Sequence, residues 1–447
     1  MSDTSHSKTI TRFPPSPTGW FHIGNVRTVL FNYFFTKQKG GVLKFRLEDT
    51  DKARSEQKYA DDIIEGLKWL GIELDFNNVY KQSEQSATYR KYLERLISEN
   101  KAYISQEEPK EEGQRGEVIR LRNSGQEIVF TDMIRGEVKI DTTELGDFVI
   151  AKSLDEPIYH FAVVVDDFEM GVTHILRGED GIYNTPRQIL IQEALGFSRP
   201  MYAHLPFILN SDKSKLSKRK QGERVSLRYY REKGFLPEAM VNFLAFIGWN
   251  PGDEREIMSM ADIIDAFDIM KVQKSGAVFN EEKLLWINKQ YLKKLPIEIV
   301  EQEIEKRLGY GNIDLIKKIT PLILERIGVW SDIDDIKNTG ELNFFWKTPN
   351  FDKELLYWKK DPDAKNTANK LLQVKEILTN YGGIWEAESI KNALWDYVEQ
   401  AGKGNVLWPL RVSLTGQDKS PEPFIVAAIL GKEEVLRRLD EALNKLY

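Results

Sequence analysis

Two short segments carry the residue types that handle phosphate chemistry, and they stand about 190 residues apart. The first, His22-Ile23-Gly24-Asn25, closes the run Arg12-Phe-Pro-Pro-Ser-Pro-Thr-Gly-Trp-Phe-His-Ile-Gly-Asn. An imidazole at His22 can donate to a phosphate or to the bridging oxygen of a transferring group, or it can cap the helix that follows. Ser16 and Thr18 add hydroxyls, while Gly19 and Gly24 let the backbone approach a nucleotide. The second segment, Lys215-Leu216-Ser217-Lys218-Arg219, sets three cations on a short stretch. Such cations either form a solvated charge run or neutralise charge that builds on phosphates during transfer. If the fold brings the two segments together, they make one adenylate-forming ATP site.

The elements around them must then do the positioning. Thr9–Phe13 reads as a strand and Val26–Lys37 as a helix, so the first segment sits on a strand, tight turn and helix start. A helix start offers unpaired N–H groups and partial positive charge, which suits a triphosphate. Val42–Leu47 is a second strand candidate; Gln57–Leu70 and Tyr89–Glu99 are helix candidates. This alternation predicts a parallel sheet with ligands beyond the strand C-termini. Between Lys101 and Asp147 the character changes: a charged turn, Glu107–Arg115, precedes the strand-like runs Glu117–Arg122, Glu127–Thr131 and Glu137–Ile140. The α/β pattern resumes with Asp147–Ser153, Ile158–Val165 and Val172–Leu176, then a helix over Thr185–Leu195 and a strand over Tyr202–Leu209. Pro237 opens a helix, and beyond Leu292 the periodic segments are helical, as in Asn366–Leu378 and Ile390–Gln400. In Glu433–Leu446, Leu436, Leu439, Leu443 and Leu446 mark the predicted packing stripe. The organisation expected is a Rossmann-like α/β domain (residues 1–100 and 148–210), a β-rich insertion (101–147), a segment around the basic loop (211–292) and an all-α region (293–447).

Bulk properties set the outer limits. A chain of 447 residues exceeds a single core and predicts roughly two to four domains. With no cysteine, a disulfide framework, a thiolate nucleophile and a cysteine-based zinc site are excluded, and a reducing cytoplasm is the expected setting. Met1–Lys8 lacks the apolar core of a signal peptide, and no apolar run reaches the ~18 residues of a membrane span. The formal charge of −6 argues against coating nucleic acid by bulk attraction, but leaves local basic patches free to meet an RNA.

The first segment resembles the HIGH motif of class I aminoacyl-tRNA synthetases, and Lys215-Leu-Ser-Lys-Arg resembles their KMSKS loop. Arg46-Leu-Glu-Asp-Thr-Asp, Tyr159-His-Phe-Ala-Val-Val-Val-Asp-Asp, His174-Ile-Leu-Arg-Gly-Glu-Asp and Pro409-Leu-Arg-Val-Ser-Leu-Thr-Gly narrow the resemblance to bacterial glutamyl-tRNA synthetases, from about Thr9 to the C-terminus. The family implies ATP with Mg2+, L-glutamate and glutamate tRNA as ligands, and a cytoplasmic monomer. Carried over residue by residue, it implies that Arg12 and Arg177 bind the substrate's carboxylates, with Glu48 and Ser16 on its ammonium. Tyr159 and Val163 would line the same pocket, Asp180 would lie near the ribose of ATP, and Ile208 would offer backbone to adenine. Ser16, Thr18, Gly19, His22, Gly24, Asn25, Lys215, Ser217, Lys218 and Arg219 would surround the nucleotide, with His22, Lys215 and Lys218 acting in catalysis. The insertion would hold the acceptor end, and Arg326, Arg411 and Ser420 would meet the anticodon. The alternatives read from residue types alone are a structural ion pair for Arg177 and Glu48 and a surface arginine for Arg326.

The chain departs from the family in a shorter insertion without zinc-binding cysteines, so no zinc is expected. It also has Pro14 where a small residue is usual in the substrate pocket, and Asn25 as the fourth residue of the first motif. Competing readings are an enzyme that also charges glutamine tRNA, the truncated paralogue that ends soon after the basic loop, a glutaminyl enzyme with C-terminal β-barrels, and a non-catalytic tRNA-binding relative. The 228 residues after Arg219 and their helical pattern speak against the second and third.

Overall fold

Short β-branched and aromatic runs separated by helices bury both faces of a parallel sheet. Ile10–Phe13 (β1) and Val42–Leu47 (β2) pair in this way, from Ile10 beside Val42 to Phe13 beside Phe45. Their crossover, Ile23–Gln38 (α1), has eleven of its 16 residues buried, so it is a core helix rather than an amphipathic surface one. Gln57–Trp69 (α2) follows, Tyr80–Lys81 (β3) pairs in parallel with the far side of β2, and Ser86–Ser98 (α3) ends this half. The structure, a computed structural model, describes residues 8–107 and 116–447. Met1–Ser7, and residues 108–115 of the charged turn expected at Glu107–Arg115, lie outside the described residues.

The next six strands divide between two sheets. They are Ala102–Gln106 (β4), Glu117–Leu121 (β5), Glu127–Asp132 (β6), Gly136–Asp141 (β7), Phe148–Ser153 (β8) and Glu156–Pro157 (β9). The first two and the last two form an antiparallel sheet, while β6 and β7 form a hairpin. The apolar run at Ile158–Val165 turns out helical: Tyr159–Glu169 (α4) has Phe161 to Asp167 all buried. Then come His174–Gly178 (β10), Thr185–Leu195 (α5) and Met201–Leu205 (β11), the two strands parallel from His174 beside Met201 to Gly178 beside Leu205. The hairpin extends this sheet, with Asp132 of β6 aligned to Tyr202 of β11, giving the order β10-β11-β6-β7. β1 and β10 lie side by side: the Thr173 N–H donates to the Ile10 carbonyl at 2.9 Å, and the Ile10 N–H to the Thr173 hydroxyl at 2.8 Å. The C-terminal ends of β1, β2 and β10 therefore open on one edge, where α/β sheets bind ligands.

The strand expected over Tyr202–Leu209 is interrupted at Pro206-Phe207, because proline supplies no N–H to a ladder. Its remainder, Ile208–Leu209 (β12), pairs with Ala277–Val278 (β13). Between them run Lys218–Gln221 (α6), Leu227–Lys233 (α7), Pro237–Ala245 (α8) and Met260–Ala266 (α9), and Glu281–Leu292 (α10) follows. The first of two units ends at Tyr291, and the second runs from Leu292 to Tyr447. The second is helical: Ile297–Leu308 (α11), Ile313–Arg326 (α12), Ser331–Thr339 (α13), Ala364–Asn380 (α14), Ala387–Ala401 (α15), Lys403–Thr415 (α16), Pro423–Leu430 (α17) and Lys432–Leu446 (α18). In α18 the buried stripe runs through Val435, Leu439, Ala442 and Leu443, and Leu436 and Leu446 are only half-buried. The stripe is rotated from the leucine pattern because Arg438 is also buried, bonding Glu434 and the Leu414 carbonyl. Among the described residues no helix is long and apolar enough to cross a membrane.

Gly41 sits where β2 begins beside β1. A Cβ there would lie 2.2 Å from the Thr9 carbonyl oxygen, and neither backbone can yield without opening the sheet. Gly41→Ala is therefore expected to cost about 2 kcal/mol. Thermal denaturation should show a midpoint lower by roughly 5 °C; an unchanged midpoint contradicts this packing.

Candidate active site

The turn from β1 into α1 and the basic loop meet across one cleft. His22 is the N-cap of α1, and its Nδ1 accepts the Gly24 N–H at 2.9 Å. An acceptor at Nδ1 leaves the ring proton of the neutral imidazole on Nε2. The two readings of His22 are therefore compatible: one nitrogen caps the helix and the other carries a donor. On the opposite side the Leu216 N–H donates to the Ile208 carbonyl at 2.9 Å, and the Asn210 side chain bonds the Lys215 carbonyl. These contacts hold the start of the basic loop along β12. A cavity of about 690 Å³ lies between, lined by both segments and by residues at the ends of β1, β2 and β10. Lys215 lies over the Phe207 ring at 4.0 Å and pairs with Asp180 at 3.4 Å. Both charged side chains are more than half exposed, so the pair is weak and Lys215 can leave Asp180 for a phosphate.

Beneath this cleft lies a buried network of charge. Arg46 is 0 % exposed and reaches Asp167 at 2.8 Å, Glu48 at 3.0 Å and Asp166 at 3.7 Å. Asp167 also accepts Arg12 Nε at 3.3 Å, while Asp166 accepts Tyr80, Tyr89 and Gln82. Burial opposes ionisation of Asp167, yet Arg12 and Arg46 outweigh it and hold its carboxyl below the usual range. Glu48 goes the other way: burial pushes its carboxyl up, and Arg46 offsets only part of that. Arg177 differs from the other two arginines. Its Nε donates to His204 Nε2 at 3.1 Å, and its Nη2 donates to the Gly181 carbonyl at 3.0 Å and the Thr185 hydroxyl at 2.8 Å. Among the described residues no carboxylate pairs with it, and its Nη1 is buried without a hydrogen-bond partner. Burial accordingly lowers its pKa, a solvation cost that a bound anion would relieve.

The cavity wall includes Arg12, Pro14, Ser16, Thr18, His22, Gly24, Asn25, Glu48, Tyr159, Arg177, Asp180, Ile208, Lys215 and Ser217. Three expected residues are not on that wall: Val163 is packed into the core at 2 % exposure, Gly19 lies in the turn with open space beside it, and Arg219 is exposed on α6. The side chain of Lys218 lies outside the described residues. In the second unit, Arg326 ends α12 and pairs with Glu341 at 3.0 Å; Arg411 lies on α16 with its Nε buried and unpartnered; Ser420 follows α16 and donates to the Pro421 carbonyl. Residue typing missed Arg27, whose guanidinium lines the cleft and donates to the Pro206 and Ile247 carbonyls. Burial lowers the Arg27 pKa to about 10 against the pull of Glu179. It also missed the supporting charges Arg46, Asp166, Asp167, Asp132 and His204. For Arg46 and His204 the available signal was a charged or imidazole residue inside an otherwise apolar run, as in Val42-Leu-Lys-Phe-Arg-Leu. A second cavity, of about 670 Å³, lies beside Tyr33, Lys44 and Glu73 and contains none of the motif residues.

Known proteins are similar to this chain in sequence and in fold. The family model of class I tRNA synthetases (E and Q), catalytic domain, matches residues 8–117 and 105–286, and an anticodon-binding domain matches 289–443. Fold and cleft together define a class I aminoacyl-tRNA synthetase, a class that uses ATP. The glutamate–tRNA ligase of Carboxydothermus hydrogenoformans is 38% identical across 97% of this chain and 99% of its own length. That of Aquifex aeolicus is 38% identical across 98% and 100%. A crystal structure of a glutamate tRNA ligase from Elizabethkingia meningosepticum in complex with its amino acid is 33% identical, with a TM-score of 0.86 over 99% of this chain and 100% of that one. The chain belongs to the glutamate–tRNA ligase family.

Burial, and secondarily the charge of Lys215, lower the pKa of His22 below its ordinary 6.5. The fold thus favours the neutral ring, and the stability this contributes is present above pH 6.5 and lost as pH falls toward the lowered value. In an NMR titration, the ring signal missing from His22→Gln should have its midpoint below 6.5 and move upward in Lys215→Ala. A midpoint at or above 6.5 contradicts the arrangement.

Proposed function

We propose that this cleft joins L-glutamate to ATP and hands the glutamyl group to the terminal adenosine of glutamate tRNA. The α-carboxylate attacks the α-phosphate, forming glutamyl-adenylate and releasing pyrophosphate. The terminal ribose 2′-OH then attacks the mixed anhydride, its proton leaves, and AMP departs. No protein nucleophile enters either step, so the work is positioning and charge stabilisation. The observation that carries the reading is Arg177: a buried guanidinium with no carboxylate partner and an unpaired Nη1 at the cleft. Such a charge calls for an anionic ligand, and Glu48 beside it suits an ammonium.

Each remaining role follows from placement and the motif resemblance. Arg12, Ser16 and Tyr159 complete the amino-acid subsite on the same wall, under Pro14. Thr18, Gly24, Asn25, Asp180, Ile208 and Ser217 border the nucleotide, whose Mg2+ arrives on its phosphates. Among the described residues no cluster of His, Asp or Glu could hold a metal alone. His22 donates from Nε2 to a phosphate, and Lys215 and Lys218 neutralise the pentacoordinate centre. The stretch 101–147 takes the acceptor end, and the helical region beyond Leu292 reads the anticodon through Arg411, Ser420 and Arg326. By the same resemblance the protein works as a cytoplasmic monomer.

The test is ATP–pyrophosphate exchange with glutamate, with and without total tRNA, followed by charging of purified glutamate and glutamine tRNAs. Exchange that requires tRNA is the expected result; no exchange under either condition leaves a tRNA-binding protein and ends the enzymatic reading. Charging of both tRNAs would make the enzyme non-discriminating. Lys218→Ala should slow exchange by about two orders of magnitude or more with an unchanged melting midpoint. Unaltered exchange in that variant removes the loop from the mechanism.

A further inference from the structure

A ring nitrogen can accept from an arginine only if it carries no proton. His204 Nε2 accepts from Arg177 Nε, so the ring proton must sit on Nδ1. His204 Nδ1 lies 2.7 Å from Asp132 Oδ2, and an ionised carboxylate can only accept. Asp132 is itself fixed by the backbone N–H groups of Ile134, Arg135 and His204, at 2.8–3.0 Å. His204 is 0 % and Asp132 1 % exposed, so water does not compete for these bonds. Burial lowers the imidazole pKa even against the pull of Asp132, which keeps the ring neutral. Below Arg177, Gly181 leaves no room for error: a Cβ there would stand 2.4 Å from Nε.

We infer that Asp132 and His204 are positioning residues for the amino-acid subsite: the carboxylate fixes the imidazole tautomer, and the imidazole acceptor aims Arg177 so that its free Nη1 meets a substrate carboxylate. The inference rests on Arg177 taking a carboxylate of glutamate and extends that reading to the residues behind it. Arg12 has a carboxylate, Asp167, as its partner, so part of its charge is already answered. Arg177 is held by a neutral imidazole, a hydroxyl and a carbonyl, so it is oriented without losing charge to an internal anion. Asp132 ends β6, a strand of the 101–147 stretch, and its register with Tyr202 sets that strand beside β11, whose His204 meets Arg177.

Steady-state aminoacylation is measured with glutamate varied and with ATP varied, for the wild type and for Arg177→Ala, Asp132→Asn, His204→Leu and His204→Gln. Asp132→Asn turns an amide toward N–H donors and shifts the ring proton to Nε2; His204→Leu removes the acceptor; His204→Gln keeps an oxygen near the place of Nε2. The KM for glutamate should rise about tenfold or more in Asp132→Asn and His204→Leu, with the KM for ATP within about twofold of wild type. His204→Gln should recover most of the loss. The two KM values rising together, or glutamine faring no better than leucine, overturns the positioning role. An Arg177→Ala enzyme with an unchanged KM for glutamate overturns the parent reading instead. Should Asp132→Asn not fold, the leucine and glutamine variants decide alone.

Discussion

Four guanidinium groups, Arg12, Arg27, Arg46 and Arg177, lie at or under the cleft at 2 %, 3 %, 0 % and 9 % exposure. A buried charge is tolerated only when it is paired and hydrogen-bonded, so their partners determine what can stand above them. Arg12 and Arg46 share Asp167, and Arg46 also answers Asp166 and Glu48. Those contacts tie β1, β2 and α4 into one block whose geometry cannot drift without breaking a bond at negligible exposure. Arg177, on β10, is held by neutral groups among the described residues, and Arg27, on α1, by the Pro206 and Ile247 carbonyls. Arg12 and Arg46 are thus answered by internal carboxylates, whereas Arg27 and Arg177, both on the cleft wall, are held by neutral partners.

The parallel sheet makes that arrangement reachable. β1 and β10 are 160 or so residues apart in the chain, yet two hydrogen bonds between Ile10 and Thr173 set them side by side. Arg12 and Arg177 then project from neighbouring strand ends into one space. The split of the strand expected over Tyr202–Leu209 serves the same end. Pro206 breaks the ladder, the Phe207 N–H is taken by Glu179 at 2.6 Å, and β12 turns to carry the basic loop beside the first motif. Glu179 also bonds Arg135 of the β6–β7 turn, so one carboxylate fixes the Phe207 side of the cleft and the hairpin together.

Several of these features were legible in the residues alone. The strand–turn–helix around His22 and the cationic loop pointed to one shared cleft through residue type and spacing, and the βαβ alternation fixed the class of sheet. Other features were hidden by burial itself. Ile158–Val165 read as part of an apolar α/β pattern because a helix apolar on nearly every side shows no 3.6-residue period. Val163 was expected on the pocket wall at one turn from Tyr159, but it is packed into the core. Asp166 and Asp167 end that same apolar run, and nothing local distinguishes them from solvated carboxylates. Their role appears only when Arg12, Arg46, Tyr80 and Tyr89 converge on them from distant segments. The rotated stripe of α18 has the same origin, since Arg438 is buried at a position outside the predicted leucine stripe.

Charge accounting also bears on which ligands the cleft can reject. If Arg177 takes a substrate carboxylate as proposed, a ligand that presents a neutral amide there leaves a desolvated guanidinium without its anion. Leaving a buried charge unpaired in this way costs on the order of 2–5 kcal/mol. Sites built to pair a polar group discriminate against analogues lacking it far better than apolar pockets sort methylenes. Rejection of this kind needs the charge to be undiluted, and a carboxylate behind Arg177 would have diluted it. A neutral imidazole gives direction without that loss. The fold can therefore keep one arginine at full charge beside another that is already answered, and the contrast between Arg12 and Arg177 follows from what stands behind each.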